Sequence, residues 1–182
     1  MSRLVGCLTI GLVLCAGPAF AKFLPTVTVR TKGADGTAYS LRASTPDPPR
    51  RADGYLIVAY DFGYTPPDET TSSGGQFSSG SEFGEGLGAG RRAPLNFNGG
   101  GICAKGWLGG TAHATVHRVT AAINGNSAIA LRLRRPPSSW HYSGALVLHF
   151  TPTPVRKAVI RGYDATGKIV ATVTVKPAAM DC

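Results

Sequence analysis

The feature that most constrains the fold is the alternation of apolar and polar residues in short segments that end at turn sequences. In residues 129–133, Ile129, Leu131 and Leu133 would share one face of an extended chain. The segment GALVLHF at 144–150 repeats this period of two, which is typical of half-buried antiparallel strands. No segment shows convincing helical periodicity. The pattern predicts an all-β chain, an antiparallel β-sandwich of about seven to eight strands.

Three short sequences that contain Gly with Asp or Asn mark the ends of predicted strands. GADG at 33–36 predicts the turn of a β-hairpin, Asn124-Gly125 ends a strand, and DATG at 164–167 joins the last two strands. Glycine, and to a lesser degree Asn and Asp, adopts the positive φ that such turns need. The run GYLIVAYDF at 54–62 predicts a buried strand, and the proline-rich segment before it predicts a loop.

A long stretch at about residues 63–101 is dominated by Gly and Ser, with scattered Phe. Ordering so many glycines costs backbone entropy, so the composition predicts a flexible Gly/Ser-rich loop. A loop of this length is unusual inside a compact domain. It would be a mobile linker, a surface flap or part of a site.

The N-terminal residues have the composition of a secretory signal peptide. Arg3 precedes an apolar run over residues 4–16, and Ala19 and Ala21 occupy the two positions that a signal peptidase reads. The sequence predicts cleavage after Ala21, which makes residues 1–21 the leader and residues 22–182 a single domain. An uncleaved anchor and a lipidated Cys15 are the alternatives. We expect a secreted or envelope-retained protein with no integral membrane span once the leader is removed.

The number of cysteines in the predicted mature chain is consistent with export. Cys7 and Cys15 belong to the leader, and Cys103 and Cys182 remain in the predicted mature chain. A pair of cysteines in an oxidising compartment predicts a Cys103–Cys182 disulfide, with two free thiols as the alternative. Two lone cysteines lack the paired spacing of a zinc site, and the sequence predicts neither a metal nor a cofactor.

Basic residues are distributed unevenly along the chain, which carries a formal net charge of +9. No acid occurs from Gly86 to Tyr163. Ten basic residues lie in that stretch: Arg91, Arg92, Lys105, Arg118, Arg132, Arg134, Arg135, Arg156, Lys157 and Arg161. Such asymmetry creates a positive field over part of the surface. It indicates either general solubility or attraction to an anionic cell-wall polymer, an acidic glycan or lipid head groups.

Three sequence pieces occur in one order: Gly36 with Tyr39 and Leu41, then Cys103 with Val116 and Val119, and finally VIRGYDATGKIVA at 159–171. Together they resemble small exported immunoglobulin-like β-sandwich domains of actinobacterial type, whose function is generally unknown. The resemblance covers roughly residues 102–175, and residues 26–43 to a lesser extent. It implies a sandwich fold and carries no catalytic residues.

Candidate catalytic groups are few. His113 and His117 would lie on one face of a strand but roughly 13 Å apart, which is too far for one metal ion. Adjacent strands would be able to bring His149 beside His117, so a small secreted hydrolase with a histidine-based site is the alternative to a non-enzymatic module. Asp164 is explained by its turn. The sequence predicts no catalytic residue, and we expect the protein not to be an enzyme but a module with a binding or structural role at the cell envelope.

The segment LRLRRPPSSWHYS at 131–143 offers the one candidate binding site. Its simplest interpretation is a strand through Leu133 with Arg132 and Arg134 pointing to solvent, then a turn set by two prolines and aromatics that pack on the sandwich. In the alternative interpretation, the segment forms a basic, aromatic loop. Guanidinium groups would bind phosphate, sulfate or carboxylate, and the aromatic rings would stack on sugars or bases. The tentative anion-binding residues are Arg132, Arg134, Arg135, Trp140 and Tyr142.

Overall fold

The structure is a computed structural model that describes residues 24–45, 58–68, 77–79, 94–102 and 105–177. The described residues contain eleven β-strands and one short 3-10 helix. The strands are β1 (Val27–Lys32), β2 (Ala38–Ser44), β3 (Ala59–Thr65), β4 (Phe77–Ser79), β5 (Leu95–Ile102), β6 (Lys105–Ala112), β7 (Arg118–Ile123), β8 (Ile129–Leu131), β9 (Ala145–Thr151), β10 (Ala158–Tyr163) and β11 (Ile169–Val175). The prediction of an all-β, antiparallel chain is confirmed, whereas the predicted number of seven to eight strands is too low, since the described residues contain eleven.

The strands are divided among three antiparallel sheets. The first sheet has the order β1-β2-β3-β4, the middle sheet β5-β6-β9, and the third sheet β11-β10-β7-β8. Leu108 and Val147 of the middle sheet pack in one core with the third sheet. Trp107 and Leu148 of the middle sheet pack in a second core with the first sheet. The middle sheet is therefore buried on both faces, because alternate side chains of its strands enter different cores.

Two glycines of β6 let aromatic rings lie against the backbone of the middle sheet. A Cβ at Gly109 would be 2.6 Å from Cδ1 of Tyr60, which belongs to the first sheet. A Cβ at Gly110 would overlap the ring of Phe97, its cross-strand neighbour in β5. Both rings are buried, with Tyr60 at 1% exposure and Phe97 at 6%. Glycine is therefore required at these positions by close packing.

The replacement Gly110→Ala tests this packing. We expect it to lower the free energy of unfolding by about 1–3 kcal/mol, because overpacking forces a buried ring out of place. Gly63→Ala is the matched control, since a Cβ there would meet only the Ser40 hydroxyl, at 3.0 Å. Denaturant titration of both variants measures the difference. Equal stability of the two variants would contradict the role assigned to Gly110.

The prediction of a loop over residues 63–101 is wrong at both ends. The first residues, from Gly63 to Thr65, belong to β3, and residues 95–101 belong to β5. The glycines of β5 serve packing, since a Cβ at Gly99 would be 2.8 Å from Cδ2 of Leu108. Phe77–Ser79 form β4, which pairs with β3. Residues 69–76 and 80–93 lie outside the described part of the chain, so the predicted flexibility of that portion stays a prediction.

The predicted turns are confirmed. Gly36 and Gly167 have φ of 87° and 84°, and Asn124 and Gly125 have φ of 52° and 83°. The Asp164 carboxylate accepts hydrogen bonds from the backbone N–H of Thr166 and Lys168, at 2.9 and 3.0 Å. Hydrogen bonding from the Thr166 side chain lowers the pKa of Asp164. The carboxylate thus holds the β10–β11 turn together, as the sequence predicts for an Asp at this position.

Candidate anion-binding surface

In the predicted loop at 131–143, Trp140 belongs to the protein interior and Tyr142 is half-buried. Trp140 ends the 3-10 helix Ser138–Trp140, has 0% exposure and lies in the core between the first and middle sheets. Its indole Nε1–H donates a hydrogen bond to the carbonyl oxygen of Pro25 at 2.8 Å. The Tyr142 hydroxyl donates to the carbonyl oxygen of Ala112 at 3.0 Å. Trp140 cannot stack on an external ligand, so its part in the tentative site is corrected to a structural role, while a ligand contact at Tyr142 stays a prediction.

The arginines of this loop differ in exposure. β8 ends at Leu131, and Arg134 exchanges backbone hydrogen bonds of 2.8 Å with Leu146 of β9. Arg134 is half-buried, and within the described residues its Nε has no hydrogen-bond partner. The expectation that Arg134 points to solvent is therefore wrong, because the chain leaves the third sheet after Leu131 and joins the middle sheet. Arg132 and Arg135 are exposed.

The histidines have separate, local environments. His113 lies in the turn before β7, where its Nδ1 is 2.9 Å from the Thr115 hydroxyl. His117 also precedes β7, so the two residues do not share a strand face as expected. His149 lies on β9, and burial lowers its pKa. The described residues include no group of three or more His, Cys, Asp or Glu side chains that could hold a metal ion.

A different group of residues forms a basic surface on the outer face of the third sheet. Val119 of β7 and Ile160 of β10 face the core. Alternation therefore puts the neighbouring polar residues of both strands outside. The Arg118 guanidinium carbon lies 3.8 Å from the ring centroid of Tyr163, a cation–π contact. We call Arg118, Thr120, Arg161 and Tyr163 the arginine–tyrosine cluster.

The strand register defines the spacing within the arginine–tyrosine cluster. Tyr163 pairs with Arg118, and Arg161 pairs with Thr120, so the two arginines are diagonal neighbours on adjacent strands. The Tyr163 hydroxyl lies 3.4 Å from the Thr120 hydroxyl. Two exposed guanidinium groups, those of Arg118 and Arg161, therefore share this face.

The electrostatic environment of the cluster is positive. The side-chain hydrogen bond with Thr120, followed by the positive charges of Arg118 and Arg161, lowers the pKa of Tyr163. Asp164 follows Tyr163 directly, but its carboxylate is engaged by the N–H groups of its own turn. Both arginines are exposed. The cluster is therefore suited to attract an anion from solution.

Part of this cluster was visible in the sequence. RVTAAI at 118–123 and AVIRGY at 158–163 each place one arginine on the polar face of a strand in the acid-free stretch. The pairing of β7 with β10 across the intervening β8 and β9 was not visible, because strand alternation specifies faces and not partners. The third sheet thus joins basic residues that lie far apart in sequence.

Chemically, the arrangement provides hydrogen-bond donors for an oxyanion. Guanidinium groups bind phosphate, sulfate and carboxylate through paired N–H donors, and the phenol hydroxyl of Tyr163 adds a further polar contact. In the described ranges no helix is long and apolar enough to span a bilayer. The chain matches no family model, no curated protein and no solved structure.

Proposed function

We propose that this chain is an exported, non-enzymatic β-sandwich module of immunoglobulin-like type that binds an anionic polymer at the cell envelope. The observation that carries the proposal is the exposed basic surface of the acid-free stretch. Six of its arginines and lysines are exposed in the described residues: Arg118, Arg132, Arg135, Arg156, Lys157 and Arg161. The final β10–β11 hairpin supports the immunoglobulin-like part of the proposal, and the leader predicted from the sequence supports export.

The proposal predicts a strong dependence of binding on salt. A cationic surface that neutralises charges on a polymer releases condensed counterions, so affinity falls steeply as the salt concentration rises. Screening acts most strongly on exposed charges, and these side chains are exposed. Binding that is insensitive to salt would contradict an electrostatic surface. Candidate polymers are anionic cell-wall polymers and acidic glycans, with lipid head groups as the other anionic surface.

Charge reversal tests the surface. The variant Arg118→Glu/Arg132→Glu/Arg161→Glu is expected to lose retention on immobilised anionic polymers, because it replaces attraction with repulsion at three exposed positions of the acid-free stretch. The exposed residues of the first sheet provide the matched control Arg30→Glu/Lys32→Glu/Arg42→Glu, with the same change in net charge. Retention on cell wall, heparin, DNA and acidic vesicles is measured at low and high salt. Equal losses in both variants would reduce the charge to a general property and overturn the proposal.

A further inference from the structure

The outer face of the third sheet brings two arginines within reach of a single anion. Diagonal neighbours on paired antiparallel strands have Cα atoms roughly 7–8 Å apart, and an arginine side chain covers most of that distance. Arg118 and Arg161 hold this relation and are both exposed. An anion placed between their side chains would offset the repulsion between two guanidinium groups, which have no acid partner on the strands that carry them.

Tyr163 restricts the position of Arg118. The guanidinium carbon is 3.8 Å from the ring centroid, so the cation rests on the face of the ring rather than extending freely into water. The ring is in turn held at its hydroxyl by Thr120, at 3.4 Å. An arginine that is already ordered loses less side-chain entropy when it binds a ligand. The cluster is therefore more than a charged patch, because one of its donors is pre-positioned.

The donors of the cluster exceed what a carboxylate needs. One guanidinium engages both oxygens of a carboxylate through two N–H groups. A sulfate or phosphate monoester has three terminal oxygens, which suit two guanidinium groups and a hydroxyl. The cluster supplies Arg118, Arg161 and the Tyr163 hydroxyl for these three oxygens. The match in number favours a monoester over a carboxylate.

Two threonines of β11 lie beside the arginine–tyrosine cluster. Thr172 pairs with Arg161, and Thr174 pairs with Val159, so both lie on the same face; both are exposed. Ile169 is the register partner of Tyr163 and is 48% exposed. Hydroxyls with one apolar side chain are suited to hydrogen bonds and ring contacts with sugars. This composition favours a glycan over a lipid surface, for which the exposed apolar area is small.

We propose that the arginine–tyrosine cluster binds the sulfate or phosphate monoester of an acidic glycan. The inference rests on the proposed function and names the chemical group that the basic surface recognises. Specificity comes from the two guanidinium forks, which an ammonium group does not reproduce. The variant Arg118→Lys/Arg161→Lys therefore keeps the net charge and removes the recognition.

The probes are three polymers that share the dextran backbone and have equal charge density but differ in the anionic group: dextran sulfate, dextran phosphate and carboxymethyl dextran. We expect the native protein to bind the sulfate or phosphate polymer more tightly than the carboxymethyl polymer. Arg118→Lys/Arg161→Lys should lower that affinity by about tenfold or more and lower carboxymethyl binding by a smaller factor, so that the preference for the ester polymers is lost. The control Arg30→Lys/Arg42→Lys should retain the preference. Tyr163→Phe keeps the ring, and it should weaken only binding of the ester polymers.

The outcomes separate the inference from the proposed function. If the lysine variant binds as the native protein does while the charge-reversed variant loses binding, the surface is electrostatic and the monoester site is overturned. If neither variant changes binding, both proposals fail. Tighter binding to DNA or to acidic vesicles than to dextran sulfate and dextran phosphate would also overturn the glycan assignment. The comparison of sulfate with phosphate identifies which ester the site prefers.

Discussion

Replacing Trp140 by alanine is expected to lower the free energy of unfolding by about 3–5 kcal/mol. The side chain has 0% exposure, and its loss leaves a large cavity between the first and middle sheets. The carbonyl oxygen of Pro25 also loses the hydrogen bond that the indole donates at 2.8 Å. A domain of this size is stabilised by about 5–15 kcal/mol in total, so the loss is a large fraction. The denaturant midpoint, monitored by far-ultraviolet circular dichroism, measures it.

Two further variants make the result interpretable. Trp140→Phe keeps much of the ring volume and loses the N–H donor, so its stability should lie between those of the native protein and the alanine variant. Arg135→Ala, at an exposed position in the same segment, should change stability by at most about 0.5 kcal/mol. Native-like stability of Trp140→Ala would contradict the burial of the indole. It would also return Trp140 to the list of possible ligand contacts.

The variant Cys103→Ser is expected to lower the free energy of unfolding by about 4 kcal/mol under oxidising conditions. The reason is the predicted Cys103–Cys182 disulfide, which would close a long loop and reduce the conformational freedom of the unfolded chain. Both cysteines lie outside the described residues. Thermal unfolding of the exported protein, with and without reducing agent, measures the effect.

The control for this prediction is Cys182→Ser. If the two cysteines form one bond, each single variant and the double variant should lose the same stability, and a reducing agent should add no further loss. Peptide mapping without reduction should show a peptide in which Cys103 is linked to Cys182. The intact mass should equal that of a chain that begins at Lys22. Two titratable thiols in the native exported protein would exclude the bond.

Local sequence signals predicted the turns and most strand faces, since both depend on residues that are near neighbours in the chain. Gly36 and Gly167 adopt the positive φ that their turns require. Leu146 and Leu148 enter one core while Val147 enters the other, as their alternation indicates. These features follow from backbone sterics and a period of two, so a single sequence is enough to find them.

Features that depend on distant pairing were not predictable in this way. Trp140 is buried because it packs between the first and middle sheets, where Pro25, far away in the sequence, accepts its indole hydrogen bond. The glycines of β5 are typical of a loop by composition, yet they lie in a strand that pairs with β6. Glycine is needed there because buried neighbours leave no room for a larger side chain. The arginine–tyrosine cluster likewise depends on the pairing of β7 with β10. Each case needs the tertiary structure, which outweighs local propensity.

The middle sheet, which supplies side chains to both cores, has a consequence for how the protein loses its structure. Strands β6 and β9 pair along their length, and neither core is complete without them. Unfolding of either the first or the third sheet would therefore expose one face of the middle sheet, which also packs against the remaining outer sheet. The described layers should behave as one cooperative unit, so that hydrogen exchange in the first and third sheets reports the same opening free energy. A substitution that destabilises the core around Trp140 would then also lower the fraction of molecules in which the basic face of the third sheet is folded.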